Sequence, residues 1–317
     1  MVNENLRIRN YYSLEKQLKN KSIFASALPN TLIIEPGAVC SLKCPFCPQS
    51  QDDFDLTRGL LKLADFKKII DYFEDFVDTV LLFNWGEPLL NLQLVEMIEY
   101  ANERRMRTIV HSNLNFLTEE MAERLVRSGL TELTASIDGA SEESYQKYRK
   151  GGSFSLALEN LKLLLKKKND LKSNTPRIIW KFLVFRHNEH ELDTAKRMAV
   201  EMGVPIEFKF AVAPGEYDPS AEKYNNRDFT NKFIENYGLP CEQLWRAPVI
   251  HSDGSVLPCC MVSQKKYIVG NIFNQDFKQI WNNDEYQRLR KIVAGETNPE
   301  PDTFCYNCIF NPIKRKG

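Results

Sequence analysis

The sequence lacks several features that would point to a particular partner or location. Its 317 residues hold 42 lysines and arginines against 42 aspartates and glutamates, so neither sign of charge is in excess. That balance argues against nucleic acid and anionic lipid as partners. No apolar run approaches the length that crosses a bilayer, and the start, MVNENLRIRNYY, lacks a signal-peptide core. We therefore expect a cytoplasmic protein with no nucleic-acid and no membrane partner.

Cysteine is absent from residues 48–240, and the eight cysteines fall into two groups. The first group is Cys40, Cys44 and Cys47, and the second is Cys241, Cys259, Cys260, Cys305 and Cys308. Disulfide frameworks are typical of small secreted chains, whereas this chain is long and has ample core residues. The grouping of the thiols therefore indicates that they bind metal ions or iron–sulfur clusters.

The first group offers three thiols within eight residues, which one loop can turn toward a single point. A structural zinc site takes four protein ligands, and an ordinary 4Fe-4S cluster takes four thiolates. Three cysteines therefore leave one metal position open for a substrate or cofactor, unless a distant cysteine completes a zinc site.

Apolar strands alternate with helical periods along the first two thirds of the chain. The strand TLIIE at residues 31–35 leads directly into the first cysteine group, and five further strands follow, separated by amphipathic helices. This order predicts consecutive parallel βα units that form an α/β partial six-stranded barrel. The cysteine loop then lies at the carboxyl edge of the strands, which is the active face of such barrels.

We expect three regions along the chain. They are an N-terminal capping segment at 1–30, the partial barrel at 31–212, and a linker with a smaller cysteine-bearing domain at 213–317. The boundary follows from residues 211–228, AVAPGEYDPSAEKYNNRD, whose proline, glycine and charge interrupt the periodicity.

The spacing CxxxCxxC, with the aromatic residue Phe46 before the last cysteine, resembles the cluster motif of the radical S-adenosylmethionine (SAM) enzymes. The resemblance implies a TIM-like partial barrel and a 4Fe-4S cluster whose open iron binds SAM. It also implies reductive cleavage of SAM to a deoxyadenosyl radical that abstracts a hydrogen atom from substrate. A flavodoxin- or ferredoxin-type protein would supply the electron.

The segment after the second strand resembles the GGE motif of this family. It reads Gly86-Glu87-Pro88, with Trp85 in place of the motif's first glycine. The resemblance implies that Glu87, with its backbone neighbours, holds the SAM ammonium through charge-assisted hydrogen bonds. Gly86 and Phe46 are expected in the same cofactor pocket. Glycine and proline are also ordinary turn residues, so a plain turn is the alternative.

Three more strand ends resemble SAM-binding segments of the family. Asn113 stands where relatives carry Thr-Asn-Gly, and SIDG at 136–139 is followed by Arg149. By resemblance, Ser136 contacts the SAM ribose and Arg149 its carboxylate, which suits a planar guanidinium. The fifth strand, represented by Val184, is expected to pack against adenine. We interpret His111 as a structural barrel residue.

The second cysteine group resembles the SPASM and twitch extensions of radical SAM enzymes. Gly254-x4-Cys259 matches their Gly-x4-Cys element, and it is preceded by a hairpin signal at Asp253-Gly254. The resemblance implies a second, auxiliary 4Fe-4S cluster on Cys241, Cys259, Cys305 and Cys308. A zinc ribbon is the alternative. Cys260 is left over, either as a buried small side chain or as a catalytic hydrogen-atom donor.

The number and spacing of these four cysteines resemble those of the auxiliary-cluster cysteines in the aminocyclitol dehydrogenases of the family. We therefore expect oxidation of a hydroxyl-bearing carbon in a small polyhydroxylated substrate, of the sugar or aminocyclitol type. Epimerisation with Cys260 as hydrogen donor is a close variant. A maturase that modifies a peptide or protein is the second hypothesis, although about thirty residues before the barrel are few for a leader-binding domain. A zinc-stabilised binding module is the third.

Overall fold

The computed structural model describes residues 2–211, 238–239, 241–306 and 308. Its core is a row of six parallel strands that pair in chain order, β1 to β6. The strands are β1 (Thr31–Ile34), β2 (Thr79–Leu81), β3 (Arg107–Ser112), β4 (Glu132–Ser136), β5 (Arg177–Val184) and β6 (Ile206–Phe210). The sheet does not close on itself, so the predicted α/β partial barrel is confirmed.

Helices connect these strands and cover the outer face of the sheet. They are α2 (Leu63–Phe73), α3 (Leu94–Glu103), α4 (Glu119–Arg127), α5 (Glu142–Tyr148), α6 (Phe154–Asp170) and α7 (Leu192–Met202), with α1 (Glu4–Lys19) before the first strand. In α2 the buried side chains are Phe66, Ile69, Ile70 and Phe73, one stripe at helical spacing. Thr118 and Ser153 cap α4 and α6 through their hydroxyl oxygens. The periodic signals in the sequence thus correspond to real crossover helices.

The C-terminal cysteine region extends the same sheet. Its elements are α8 (Gln243–Arg246), β7 (Val249–Ile250), β8 (Ser255–Leu257), β9 (Gly270–Asn271), α9 (Phe277–Trp281) and α10 (Asp284–Ala294). Strand β7 pairs parallel with β1, and β8 and β9 follow antiparallel, so the nine strands of the described residues form one sheet. The hairpin predicted at Asp253-Gly254 joins β7 to β8, with Gly254 at a φ of +83° that favours glycine.

One helix of this region differs from its sequence pattern. The stretch KQIWNNDEYQRLRKIV reads as a single helix, but it forms the end of α9 and most of α10. The break lies at Asn282 and Asn283, where the Asn283 side chain accepts a hydrogen bond from the Tyr286 amide and begins α10. Asparagine favours a helix break at this position, because its side-chain oxygen can accept a hydrogen bond from a free backbone amide at the start of the next helix.

The N-terminal segment packs against the C-terminal cysteine region. The indole N–H groups of Trp245 and Trp281 donate to the carbonyls of Ser22 (2.8 Å) and Ala27 (3.0 Å). The three-region division remains a prediction, and residues 212–228 of the expected linker lie outside the described residues. No helix among the described residues is long and apolar enough to cross a membrane.

Candidate active site

A cavity of about 410 Å³ lies at the carboxyl ends of the parallel strands. All three cysteines of the first group line it, together with most of the residues that the sequence placed in the cofactor pocket. These are Phe46, Gly86, Glu87, Asn113, Ser136 and Arg149. The structure therefore brings together side chains from four strand ends that are far apart in the chain.

The first cysteine group sits on a small aromatic cluster. Phe46 stacks on Tyr148 with ring centroids 6.3 Å apart, and Tyr148 contacts Phe185 at 4.4 Å. The Cys40 sulfur accepts hydrogen bonds from the Leu42 amide (3.4 Å) and from the Asn113 side chain (3.7 Å). Burial raises the pKa of Cys40 to about 11 in the absence of a bound positive charge. Donors aimed at this sulfur suit a thiolate that a metal holds deprotonated.

Gly86 is required by a close approach of two backbone segments. A Cβ atom at this position would lie 1.6 Å from the carbonyl oxygen of Gly37. Next to it, the Glu87 amide donates to the Val39 carbonyl at 2.8 Å. The segment after β2 is therefore joined to the start of the cysteine loop, and the motif glycine has a structural reason.

Glu87 is buried, and its carboxylate organises the backbone beside the cysteines. One oxygen accepts the Leu89 amide at 3.0 Å and the other accepts the Asn113 amide at 2.8 Å. Burial raises the pKa of Glu87, while these hydrogen bonds lower it in part. Both oxygens are thus fixed in position at the cavity wall.

Glu35 is a second buried carboxylate, which sequence reasoning missed. It follows β1 and accepts the amides of Trp85 (2.6 Å) and Gly86 (3.3 Å). Burial raises its pKa to about 7, against the lowering effect of these amides. A charged residue at the end of the buried strand TLIIE is the signal that could have identified it.

Arg149 is held by an ion pair with a buried aspartate. Its Nε donates to Asp138 at 2.6 Å, and the other oxygen of Asp138 accepts the Leu183 amide at 2.7 Å. Burial lowers the pKa of Arg149, but Asp138, Cys44 and two neighbouring tyrosines together leave the pKa well above its usual range. The guanidinium also lowers the pKa of Cys44, which burial raises. The sequence predicted Arg149, whereas Asp138 was not among the predicted site residues.

The structure does not bring the Val184 side chain to the cavity. Val184 is fully buried in the main hydrophobic core on the outer face of β5, because side chains alternate along a strand. Its neighbours Leu183 and Lys181 line the cavity instead. His111, interpreted from the sequence as structural, and Phe83 line the same wall. A lysine within the apolar strand IIWKFLVF is the sequence signal that could have pointed to this wall.

The second cysteine group lies away from the cavity, whose lining includes none of its described members. The sulfurs of Cys241 and Cys259 each accept a backbone amide two residues on, at 3.4 Å. Burial raises the pKa of Cys241 to about 12, and the Cys308 and Cys260 thiols raise it further. Cys260 hydrogen-bonds with Cys259. All four predicted cluster ligands and Cys260 therefore belong to one neighbourhood.

Trp85 connects the two cysteine groups. Its carbonyl oxygen lies 4.0 Å from the Cys47 sulfur, and its indole N–H donates to the Val262 carbonyl at 2.8 Å. The ring packs against a hydrophobic cluster that includes Cys259 and Val262. The residue that departs from the family motif thus docks the C-terminal cysteine region onto the cavity rim.

A parallel partial barrel with three cysteines at its carboxyl edge and a second cysteine region beyond it defines a class of cluster-dependent enzymes. The Radical SAM superfamily model matches residues 34–180, and the model of an iron–sulfur cluster-binding domain named SPASM matches residues 241–309. The chain belongs to the radical SAM superfamily and carries a C-terminal SPASM domain. The resemblance drawn from the motifs is confirmed.

Known relatives cover most of the chain at low identity. An AdoMet-dependent heme synthase of Methanosarcina barkeri is 28% identical over 83% of this chain and 85% of its own length. An S-adenosyl-L-methionine-dependent 2-deoxy-scyllo-inosamine dehydrogenase of Niallia circulans is 23% identical over 87% and 90%. The crystal structure of Streptococcus suis SuiB bound to precursor peptide SuiA aligns with a TM-score of 0.65, 15% identity and coverage of 96% and 74%.

Family membership implies a 4Fe-4S cluster, SAM and an auxiliary iron–sulfur cluster as cofactors. The donor sets fit, because each group supplies thiols whose sulfurs already accept backbone amides. Among the described residues, no three histidine, cysteine or acidic side chains converge on one point that would hold a single metal ion. In an iron–sulfur cluster each cysteine binds a different iron, so the thiols need not converge on one atom.

Proposed function

We propose that this radical SAM enzyme oxidises a hydroxyl-bearing carbon of a small polyhydroxylated substrate, of the sugar or aminocyclitol type. One observation carries the proposal: the cavity has the size of a small-molecule site, and polar side chains that are not among the predicted SAM contacts lie in its wall. The cavity measures about 410 Å³, and Asn84, His111 and Lys181 offer amide, imidazole and ammonium groups that can hydrogen-bond a hydroxylated ligand. The similarity to an inosamine dehydrogenase supports the same substrate class.

We assign the cofactor contacts to residues at the cavity wall. Cys40, Cys44 and Cys47 hold the cluster that binds SAM, Glu87 and the backbone around it hold the SAM ammonium, and Arg149 its carboxylate. Gly86, Asn113, Ser136 and Phe46 complete the pocket. The geometry supports this assignment because these groups line one cavity. Cys241, Cys259, Cys305 and Cys308 hold the auxiliary cluster.

Once bound, the clusters and SAM would supply one-electron chemistry, with reductive cleavage of SAM at the first cluster and an electron acceptor at the second. The substrate would give up a hydrogen atom from its carbon, a proton from its hydroxyl and one electron to that acceptor. The alcohol thereby becomes a ketone. Arg149 and Glu87 orient SAM in the cavity.

The test is turnover by anaerobically reconstituted protein with SAM, dithionite and a panel of sugars and aminocyclitols that includes 2-deoxy-scyllo-inosamine. We expect 5′-deoxyadenosine and a ketone in equal amounts. In D₂O, epimerisation would instead leave one solvent deuterium at an inverted carbon. The location of Cys260 beside Cys259, outside the cavity lining, favours oxidation. Cys260→Ala should then leave ketone formation unchanged, whereas an inverted, deuterated product that forms with wild type and is lost in Cys260→Ala would support the hydrogen-donor role.

A peptide maturase is the second candidate, supported by the TM-score of 0.65 with SuiB bound to its precursor peptide. It predicts that SAM cleavage is stimulated by a peptide encoded near the gene and that the mass of the peptide changes. If only peptides stimulate turnover and no hydroxylated small molecule does, the dehydrogenase proposal is wrong.

A further inference from the structure

A lysine and a histidine form a fixed pair on the inner face of the sheet. Lys181 on β5 places its Nζ 3.3 Å from the Nδ1 of His111 on β3. The imidazole stacks on Phe83, with ring centroids 3.6 Å apart and planes 7° from parallel. All three residues line the cavity. The stacking fixes the ring, so His111 presents one nitrogen to the lysine in a defined direction.

The protonation states of the pair follow from its surroundings. Burial, and then the charge of Lys181, lower the pKa of His111 to about 3, so the ring is neutral at pH 7. Burial lowers the pKa of Lys181 to about 8, so the ammonium form predominates at pH 7. Lys181 therefore donates one N–H to the Nδ1 of His111, and two N–H groups remain for a ligand.

No carboxylate among the described residues forms an ion pair with Lys181. Asp138 is engaged by Arg149 and the Leu183 amide, and Glu207 lies 3.4 Å from Lys209. An ammonium that is partly removed from water without a counter-ion is costly, and a bound anion would offset that cost.

The other charged side chains of the cavity also favour an anionic ligand. Lys209, on the neighbouring strand β6, also lines the cavity, but its side chain is largely exposed and lies beside Glu207. Glu87 is the one carboxylate in the described lining, and backbone amides occupy both of its oxygens. The wall formed by β5 therefore offers the Lys181 ammonium to a substrate and no free carboxylate.

We propose that Lys181, positioned by His111, binds an oxyanion of the substrate, a carboxylate or a phosphate group, inside the cavity. The inference rests on the proposed function and narrows its substrate class to hydroxylated molecules that carry an acidic group. Sugar acids and sugar phosphates have this chemistry, whereas neutral sugars lack it.

The test is calorimetric titration of the reconstituted holoprotein with SAM present, at pH 7. The probes are glucuronate, glucose 6-phosphate and glucose, which share a ring and differ in the anionic group. We expect at least one anion to bind roughly tenfold or more tightly than glucose, as charge-assisted hydrogen bonds allow. Comparison of the two anions separates carboxylate from phosphate. If wild type binds both anions no better than glucose, the proposal is wrong.

Substitutions of Lys181, Lys209 and His111 test where the anion binds. Lys181→Met should abolish the preference for the anion, whereas Lys209→Met, at a lysine whose side chain is 61% exposed, should change it less than about threefold. His111→Leu should weaken anion binding, and His111→Gln should retain it because the amide oxygen can accept the lysine N–H. Lys181→Gln is a second variant in case Lys181→Met fails to fold.

The pH dependence gives a separate readout. Anion preference should fall between pH 7 and pH 9 in wild type, because Lys181 loses its proton there, and should be flat in Lys181→Met. The charged or titratable groups that face Lys181 from neighbouring elements are His111, Asp138, Arg149, Glu207 and Lys209. A wild-type preference that does not change over this range would contradict the proposal.

Two further outcomes separate this inference from the proposed function. If Lys181→Met weakens SAM itself, Lys181 holds the SAM carboxylate and the inference fails, although SAM-dependent oxidation can still stand. If anions bind through Lys181 but no hydroxylated compound is oxidised, the oxyanion site stands and the proposed reaction fails.

Discussion

The two cysteine groups of this chain both present thiols, but their surroundings differ. The first lines an open cavity beside Arg149, whose charge lowers the pKa of Cys44 and Cys47 against the effect of burial. The second lies outside that cavity, and there the neighbouring Cys308 and Cys260 thiols and Glu242 add to the rise that burial causes in the pKa of Cys241. A thiolate site that must admit a ligand needs an opening and a nearby polar anchor, whereas a closed site needs only enclosure. The contrast supports exchangeable chemistry at the first group and electron storage at the second.

The largest expected effect comes from removing the first group. Cys40/Cys44/Cys47→Ala should abolish SAM cleavage, and iron content should fall from about eight to about four per chain after anaerobic reconstitution. Iron, sulfide and zinc are measured together. About four irons and one zinc in wild type would show that the second group holds zinc, and the contrast between an open and a closed iron–sulfur cluster would be lost.

The ion pair that anchors the first group comes next. Asp138→Asn leaves a buried guanidinium without its counter-charge, and we expect the free energy of unfolding to fall by about 3–5 kcal/mol. Urea denaturation measures it. The matched control is Glu132→Gln, which breaks the more exposed pair with Arg177 and should cost less than about 1 kcal/mol. Equal losses in the two variants would show that Asp138 does not act through the buried charge.

A smaller effect is expected where the two backbone segments touch. Gly86→Ala places a methyl group against the Gly37 carbonyl, so the unfolding free energy should fall by about 1–3 kcal/mol and SAM affinity should fall with it. Gly59→Ala is the control, since no atom lies within 4 Å of the position that its methyl group would take. Unchanged SAM affinity in Gly86→Ala would separate this contact from the cofactor pocket.

The smallest effect is expected at Trp85, which connects the two cysteine groups. Trp85→Phe keeps an aromatic ring but removes the hydrogen bond to Val262, which should lower the free energy of unfolding by about 1 kcal/mol. Iron content should stay at the wild-type value, because no ligand changes. Loss of about half the iron would mean that the indole is needed to hold the second group in place.

Much of this architecture follows from local sequence pattern. Alternating strands and helices, the two cysteine groups and the motif at Glu87 all depend on residues close in the chain, so the sequence predicted them. The pairing of β7 with β1 was not predictable, because two-residue strands carry little signal and their partner lies more than 200 residues away.

The missed site residues share the same cause. Glu35 and Lys181 stand out in the sequence only as charged residues in apolar strands, and the partners of Glu35, Asp138 and Lys181 are distant segments that the sheet brings beside them. Val184 shows a different limit of prediction from sequence. The end of a strand can be located within two residues, whereas the face of the sheet on which a given side chain lies can still be wrong. One residue of register decides which side chain enters the cavity.

The pairing of β1 with both β2 and β7 has a consequence for synthesis. Strand β1 leaves the ribosome early, while β7, and the tryptophans that bind the N-terminal segment, leave more than 200 residues later. At about 5–20 residues per second this interval is roughly 10–40 s. Throughout it, one edge of β1 and the carbonyls of Ser22 and Ala27 lack their C-terminal partners on the nascent chain. We therefore expect the N-terminal segment to be the part of this protein that most needs protection by a chaperone during translation.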